Sequence, residues 1–426
     1  MTSENHGTFY YHYAWVIVAI IAGFQMVGSS VRMAFGVFID PLSQDFGWSQ
    51  GSITLAYGIS SVVSAVASPW AGQFGDRYGA RRTMTLGSCL FIIGMILTGL
   101  ITELWHFYLA FGVLLGISQA LFLVPMIPAA MVWFRRHLGV GMGFIMTGWG
   151  IGPAIVAPLM GFLIVRLGWE WTFWSSAAIS AVIMSIMIYF FKDRPIDRGV
   201  LPYGAHPDDP LEQLQPSDPQ QVKLFSKYMN RTMACWNMSS IHFFGCVGHA
   251  VILVYLIPIA VQEGLSLLMA ASMLTIVSTV SIATRLGAPI LADHYDTKIV
   301  MAIFYFIQGI TVVMLFWTHS LWAFSLFGVI FGVGYGGEAG IFPILNRKYY
   351  GQAPMGSAYG LQMLGAGLGM ALGGWIGGII FDITHSYDLA LIVSIATSLI
   401  GAISILLLEP TDKLLIPDWE EKTKLS

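Results

Sequence analysis

Apolar residues run through this chain in blocks of about 20 or more, long enough at about 1.5 Å per residue to cross a hydrocarbon layer about 30 Å thick. Such blocks can be marked at 14–38, 50–72, 84–101, 105–133, 138–166 and 171–191, and again at 232–262, 266–292, 298–317, 321–346, 355–381 and 387–408. The pattern predicts twelve transmembrane helices in two sets of six, an all-α integral membrane protein. Between the sets, Pro195, Pro202, Pro207, Pro210, Pro216 and Pro219 stand among charged residues, a composition that reads as a linker with room for a short surface helix. The expected units are an N-terminal bundle over 1–191, a cytoplasmic linker over 192–231, a C-terminal bundle over 232–410 and a cytoplasmic tail over 411–426. The first block lacks a basic flank and is too long for a cleaved leader.

Composition agrees with the pattern. The chain is 56% hydrophobic and 10% charged, where a soluble domain carries about 25% charged residues. Lys and Arg set the orientation. Arg77, Arg81, Arg82, Arg135, Arg136, Lys192, Arg194, Arg198, Lys223, Lys227, Arg231, Lys298, Arg347, Lys348, Lys413, Lys422 and Lys424 all fall on one side, with both termini. The opposite loops carry Asp40, Asp45, Glu103, Glu170 and Glu263 and almost no basic residue. Cytoplasmic loops hold the excess of basic residues, so both termini are expected in the cytoplasm of a cell whose plasma (inner) membrane holds the protein. Cys89, Cys235 and Cys246 lie within predicted helices without metal-ligand spacing. No metal, cofactor or nucleic-acid partner is expected.

Arg166 marks a helix end, which leaves Arg32 and Arg285 as the two basic residues inside apolar spans. An intramembrane charge costs about 3 kcal/mol or more to insert and so marks a functional position. An arginine held in the bilayer suits a carboxylate that must cross it.

After helix 2 the chain reads Gly72-Gln-Phe-Gly75-Asp76-Arg77-Tyr-Gly79-Ala-Arg81-Arg82. This resembles the loop 2–3 signature of the major facilitator superfamily. A decayed copy follows helix 8, Pro289-Ile-Leu-Ala-Asp293-His294-Tyr-Asp296-Thr-Lys298, which keeps the aspartate and the later basic residue. Two parallel halves are how that superfamily is built. The resemblance implies a cytoplasmic gate at Gly72, Asp76, Arg77, Arg81 and Asp293, latched when the protein faces outward; the alternative is a solvated turn.

Around the loop between helices 4 and 5 the chain reads Trp133-Phe134-Arg135-Arg136-His137-Leu138-Gly139-Val140-Gly141-Met-Gly143. This resembles the monocarboxylate transporter family in a divergent, prokaryotic-type form related to the oxalate/formate exchangers. Gly148, Gly150 and Gly152 are displaced from the family spacing, and the first-helix motif survives only as His12-Tyr13-Ala14-Trp15. The family binds substrate through an arginine on helix 8, and Arg285 occupies that place, although it could instead snorkel toward the cytoplasm near Asp293. A planar guanidinium holds a carboxylate by two parallel charge-assisted bonds. Two departures bear on substrate. Many animal members have an aspartate one turn before this arginine, where Ser281 stands here; the exchangers add a lysine on helix 11, where Tyr359-Gly-Leu-Gln362-Met-Leu-Gly-Ala366 carries no basic residue. A lone central cation in this half suits a monoanion.

His249 falls near the middle of helix 7, where prokaryotic family members also place a histidine, and it titrates in the range of a proton gradient. Glu338, within Gly334-Tyr335-Gly336-Gly337-Glu338, is a second candidate proton carrier, or else a structural partner of Arg285. Tyr335 and Gln119 are candidate substrate contacts or simple packing groups. Arg32 stands within about one residue of a lysine in mammalian members, which implies an anion-attracting gate; snorkelling toward Asp40 is the alternative. The expected function is secondary active transport of a small monocarboxylate such as lactate or pyruvate, with a proton, by alternating access and as a monomer. The alternative is organic-anion exchange without proton coupling. No nucleophile, metal or cofactor constellation argues for an enzyme, and the short tail and linker leave little room for a sensor.

Overall fold

In the computed structural model, residues 12–134, 138–205, 225, 227–350, 356–411 and 414–416 are described. Twelve helices among them are long and apolar enough to cross a membrane, as the hydrophobic pattern predicts. An even number of crossings returns the chain to the side on which it started, called here the termini side. The short surface helix anticipated in the linker falls mostly on 206–224, outside the described residues.

Local chemistry sets the helix starts. The Ser49 side chain accepts from Ser52 N ahead of helix 2 (Gln50–Tyr78), and Ser266 from Met269 N ahead of helix 8 (Leu267–His294). Asp296 does the same for Lys298 N and Ile299 N at the start of helix 9, Thr297–Val312. Such caps satisfy amides that have no partner within the helix.

Among the described residues, three crossings are broken. Helix 1 runs Tyr13–Met33, turns at Ala34 and Phe35, and resumes as Gly36–Phe46. Helix 4 contains a wide π segment, Tyr108–Leu114, continues as Leu115–Leu123, and restarts as Met126–Val132 after Pro125, which supplies no amide hydrogen. Helix 10 runs Leu321–Ala339 and restarts as Phe342–Tyr350. Helices 4 and 10 hold corresponding places in the two halves, so their breaks fall at the same level of the fold.

The glycine-rich signature is not the loop its polarity suggests. Gly72 through Tyr78 continue helix 2, and the turn comes only at Gly79, whose φ of +89° belongs to the region that favours glycine. Polarity marks where lipid ends; the backbone turn marks where the helix ends.

The halves meet along helix 2 on helix 11 (Gly356–Thr384), helix 5 (Leu138–Leu167) on helix 8, and the far end of helix 1 on helix 7, Met233–Gln262. Helix 3 (Ala80–Thr98), helix 6 (Trp169–Phe190), helix 9 and helix 12 (Asp388–Leu406) pack within their own halves. Helix 7 is the most enclosed, buried along nearly its whole length from Ala234 to Ala260. His249 therefore sits where lipid and bulk water are both excluded.

Candidate functional site

The two intramembrane arginines turn inward, each over an aromatic ring. In the N-terminal half the Arg32 guanidinium lies 5.4 Å from the Tyr57 ring centroid, while its Nη2 donates to Ser61 Oγ at 2.7 Å and its Nη1 to Gln119 Oε1 at 3.4 Å. Gln119 is itself buried and donates through Nε2 to the Gly28 carbonyl at 3.4 Å. Ser61 and Tyr57 sit one turn apart on helix 2, so a single helix face supplies both the ring and the hydroxyl. Arg32 thus reaches neither the headgroups nor Asp40; helix 1 bends at Ala34 just beyond it and keeps the side chain within the bundle.

In the C-terminal half Arg285 projects from helix 8 over the ring of Tyr335 on helix 10, 4.9 Å from its centroid. Its Nε is buried without a hydrogen-bond partner, and the guanidinium lies within hydrogen-bonding range of the Tyr335 hydroxyl. One arginine is anchored by a serine and a glutamine, the other by the ring and hydroxyl of a single tyrosine. A guanidinium stacked on a π face keeps its in-plane donors free for an anion.

Behind Tyr335 lies an imidazole–carboxylate pair. His249 Nδ1 is 2.7 Å from Glu338 Oε1, and both residues are almost completely buried. Glu338 Oε2 has no hydrogen-bond partner. The His249 ring stands edge-on to Tyr335 at 5.1 Å, and its Nε2 is 3.1 Å from Met370 Sδ on helix 11. Glu338 therefore pairs with His249 and not with Arg285. Ser281, one turn before Arg285, donates to the Ser278 carbonyl at 2.7 Å.

Helix 11 ties the two clusters together. Met370 touches His249, and one turn later a Cβ on Gly374 would fall 2.3 Å from Tyr57 Cδ1, so only glycine admits that ring. The Tyr57 hydroxyl is buried without a hydrogen-bond partner and lies within electrostatic range of Tyr335. Arg32, Tyr57, helix 11, His249, Tyr335 and Arg285 so form one connected series across the interface of the halves.

His242, two turns from His249, is buried and stacks on Phe342 at 4.2 Å, beside the break in helix 10. The residues of the glycine-rich signature and its copy, expected as a gate, are less fully described. Asp76, Arg77 and Asp293 have helical backbone, but their side chains lie outside the described set. Gly72 packs beside Val124 on helix 4. Arg81 is tied within its own half: its amide donates to Asp193 Oδ1 at 2.9 Å and its Nε to the Ile188 carbonyl at 3.0 Å. Tyr57, Ser61, Met370 and Asp193 were not singled out by sequence. For Tyr57 and Ser61 the available signal was a polar residue repeating every turn in an apolar span.

Twelve helices in two related halves, with polar groups converging between them, define a polytopic transporter. A profile of the Major Facilitator Superfamily matches residues 17–360 and again 238–425, and the chain belongs to that superfamily. It is a multi-pass membrane transporter, not an enzyme. Monocarboxylate transporter 11 of Homo sapiens is 24% identical over 408 residues, covering 92% of this chain and 82% of that protein. Monocarboxylate transporter 12 of Rattus norvegicus is 23% identical over 403 residues, covering 89% and 82%. MFS transporter asaE of Aspergillus flavus is 25% identical over 304 residues, which span 71% of this chain and 64% of asaE. Among solved structures, a D-xylose-proton symporter superposes with a TM-score of 0.75 at 14% identity, covering 94% of this chain and 99% of that one. A bacterial homologue of the human lysosomal transporter Spinster, in an inward-facing and unoccupied conformation, gives 0.66 at 13% identity, covering 94% and 96%. These two likenesses concern the fold alone.

Proposed function

We propose that this protein moves a small monocarboxylate across the membrane together with a proton. The observation that carries the reading is the Arg285 guanidinium, set over the Tyr335 ring with its Nε buried and without a hydrogen-bond partner. A carboxylate docking there receives two parallel charge-assisted bonds from a pre-oriented donor. Arg32, already bonded to Ser61 and Gln119, adds positive potential more than direct contact. With one such fork in the C-terminal half, the site balances a monoanion better than a dianion.

The proton belongs to the His249–Glu338 pair. Its short contact lies beside Tyr335, so a change in the charge of the pair is felt at the arginine through one aromatic ring. An anion and a proton crossing together carry no net charge through the bilayer, which makes the coupling physically economical. The names of the relatives in two mammals point the same way. Lactate and pyruvate are the natural first substrates to try. The loop charges favour cytoplasmic termini in a plasma (inner) membrane, and nothing in the site requires more than one copy.

The test is uptake of radiolabelled L-lactate into proteoliposomes, with and without an inward proton gradient. Uptake that rises with the gradient and collapses with a protonophore is the expected result. Uptake that ignores the gradient and requires a preloaded acid refutes symport in favour of anion exchange on Arg285. If no small carboxylate in a panel is taken up or competes, the carboxylate reading itself falls.

A further inference from the structure

On the side away from the termini, the two halves are joined by a contact that the central site does not explain. Asp382, near the end of helix 11, reaches the beginning of helix 2. Its Oδ1 accepts from Gln50 N at 2.9 Å and its Oδ2 from Gly51 N at 2.8 Å. Both amides belong to a first helical turn, where no partner exists within the helix and the helix dipole favours a negative charge. The Tyr387 hydroxyl donates to Gln50 Oε1 beside them. Burial, with the nearby Asp40 charge adding to it, pushes the Tyr387 phenol up, so it stays protonated and able to donate. Tyr255 of helix 7 lies 5.5 Å from Tyr387 and donates to the Gly374 carbonyl at 2.6 Å. Backbones are in direct contact here: a Cβ on Gly378 would come within 2.8 Å of Gly51 Cα. Among the described residues, helices 4 and 10 make no comparable contact.

We propose that Asp382 is the latch that holds the protein closed on the side away from the termini, gripping the N-terminus of helix 2 and releasing it when the halves rock apart. It is a positioning residue, since it touches no part of the central site. The chemistry suits a reversible closure. Half-buried Asp382 and the freed amides can both be taken up by water when they separate, so opening strands no buried polar group. An apolar seal of equal area would have no such exchange partner. The inference needs only a transporter whose halves move, whatever acid it carries.

Thiol accessibility tests it. In a background with Cys89, Cys235 and Cys246 changed to alanine, single reporters are placed by Thr54→Cys and Ala371→Cys. Thr54 lies one turn into helix 2 and is fully buried; Ala371 lies 11 residues before Asp382 on helix 11, against Gly58 of helix 2. That spacing puts Ala371 about 16 Å deeper. A membrane-impermeant maleimide is applied from the side away from the termini. Asp382→Ala is expected to speed labelling at both reporters by at least about fivefold, with Asp382→Asn between it and the parent. A smaller change in folded Asp382→Ala overturns the proposal. So does acceleration at Thr54→Cys alone, which would mean that only the helix end had frayed. If Asp382→Ala does not accumulate as folded protein, Asp382→Asn keeps the size and one acceptor, and parental labelling in that variant overturns the proposal equally.

Discussion

Changing Arg285 to lysine keeps a positive charge in the bilayer and removes the planar fork, so it isolates the geometry on which the proposed carboxylate site rests. An ammonium can bond one carboxylate oxygen strongly but cannot hold both in parallel. The loss of one charge-assisted bond is worth about 1.5–3 kcal/mol. The ring contact at 4.9 Å contributes about 0.5–1 kcal/mol more, and a flexible ammonium keeps little of it. Together these amount to about 2–4 kcal/mol, a rise in half-saturation of about 30- to 700-fold. Folding should change little, because lysine keeps the positive charge and the contact given up is confined to Tyr335. The assay is concentration-dependent L-lactate uptake in proteoliposomes, with size-exclusion profiles as the folding control. A half-saturation raised by less than about tenfold, at parental folded yield, would refute the bidentate site.

Three further outcomes follow from the same geometry. Glu338→Gln removes the charge facing His249 and should abolish stimulation by the proton gradient while sparing lactate counterflow; gradient-stimulated uptake at the parental level counts against coupling through this pair. Tyr335→Phe keeps the ring beneath Arg285 and should stay within about threefold of the parent in half-saturation, whereas Tyr335→Leu should exceed about fivefold; equal losses in the two would assign the role to the hydroxyl. Ser61→Ala leaves a charged Arg32 donor without its 2.7 Å acceptor and should lower thermal stability in detergent by about 1–3 kcal/mol, read as an earlier melting transition; an unchanged transition would mean that water replaces the hydroxyl.

Hydropathy exposes what lipid selects, and it made twelve crossings and two misplaced-looking arginines legible. It is blind to what a helix does once it leaves the apolar slab, so residues 72–78 read as a loop although they are helical. It is equally blind to breaks inside an apolar run: the residues at the turn after Met33 and at the restart at Phe342 are as apolar as those on either side. The charged members of the site stood out because charge in a membrane is costly. Their neutral partners did not. Ser61 and Tyr57 look like ordinary residues of a small-residue helix until the fold brings Arg32 against them. Glu338 could have partnered either Arg285 or His249 on sequence alone, and only the relative rotation of helices 7, 8 and 10 selects the histidine. The Asp382 contact joins residues more than 330 apart, a separation across which one chain carries no local signal.

Helix 11 carries a mechanical consequence. Its Met370 abuts the imidazole of His249 in its own half, and its Gly374 receives the ring that supports Arg32 in the other. The two contacts are one turn apart on a rigid rod, about 6 Å. When helix 11 slides or tilts against helix 2, both must be disturbed in the same stroke. The imidazole–carboxylate pair and the anchored arginine therefore share a crankshaft: a displacement of helix 11 would unseat the side chains of both halves together.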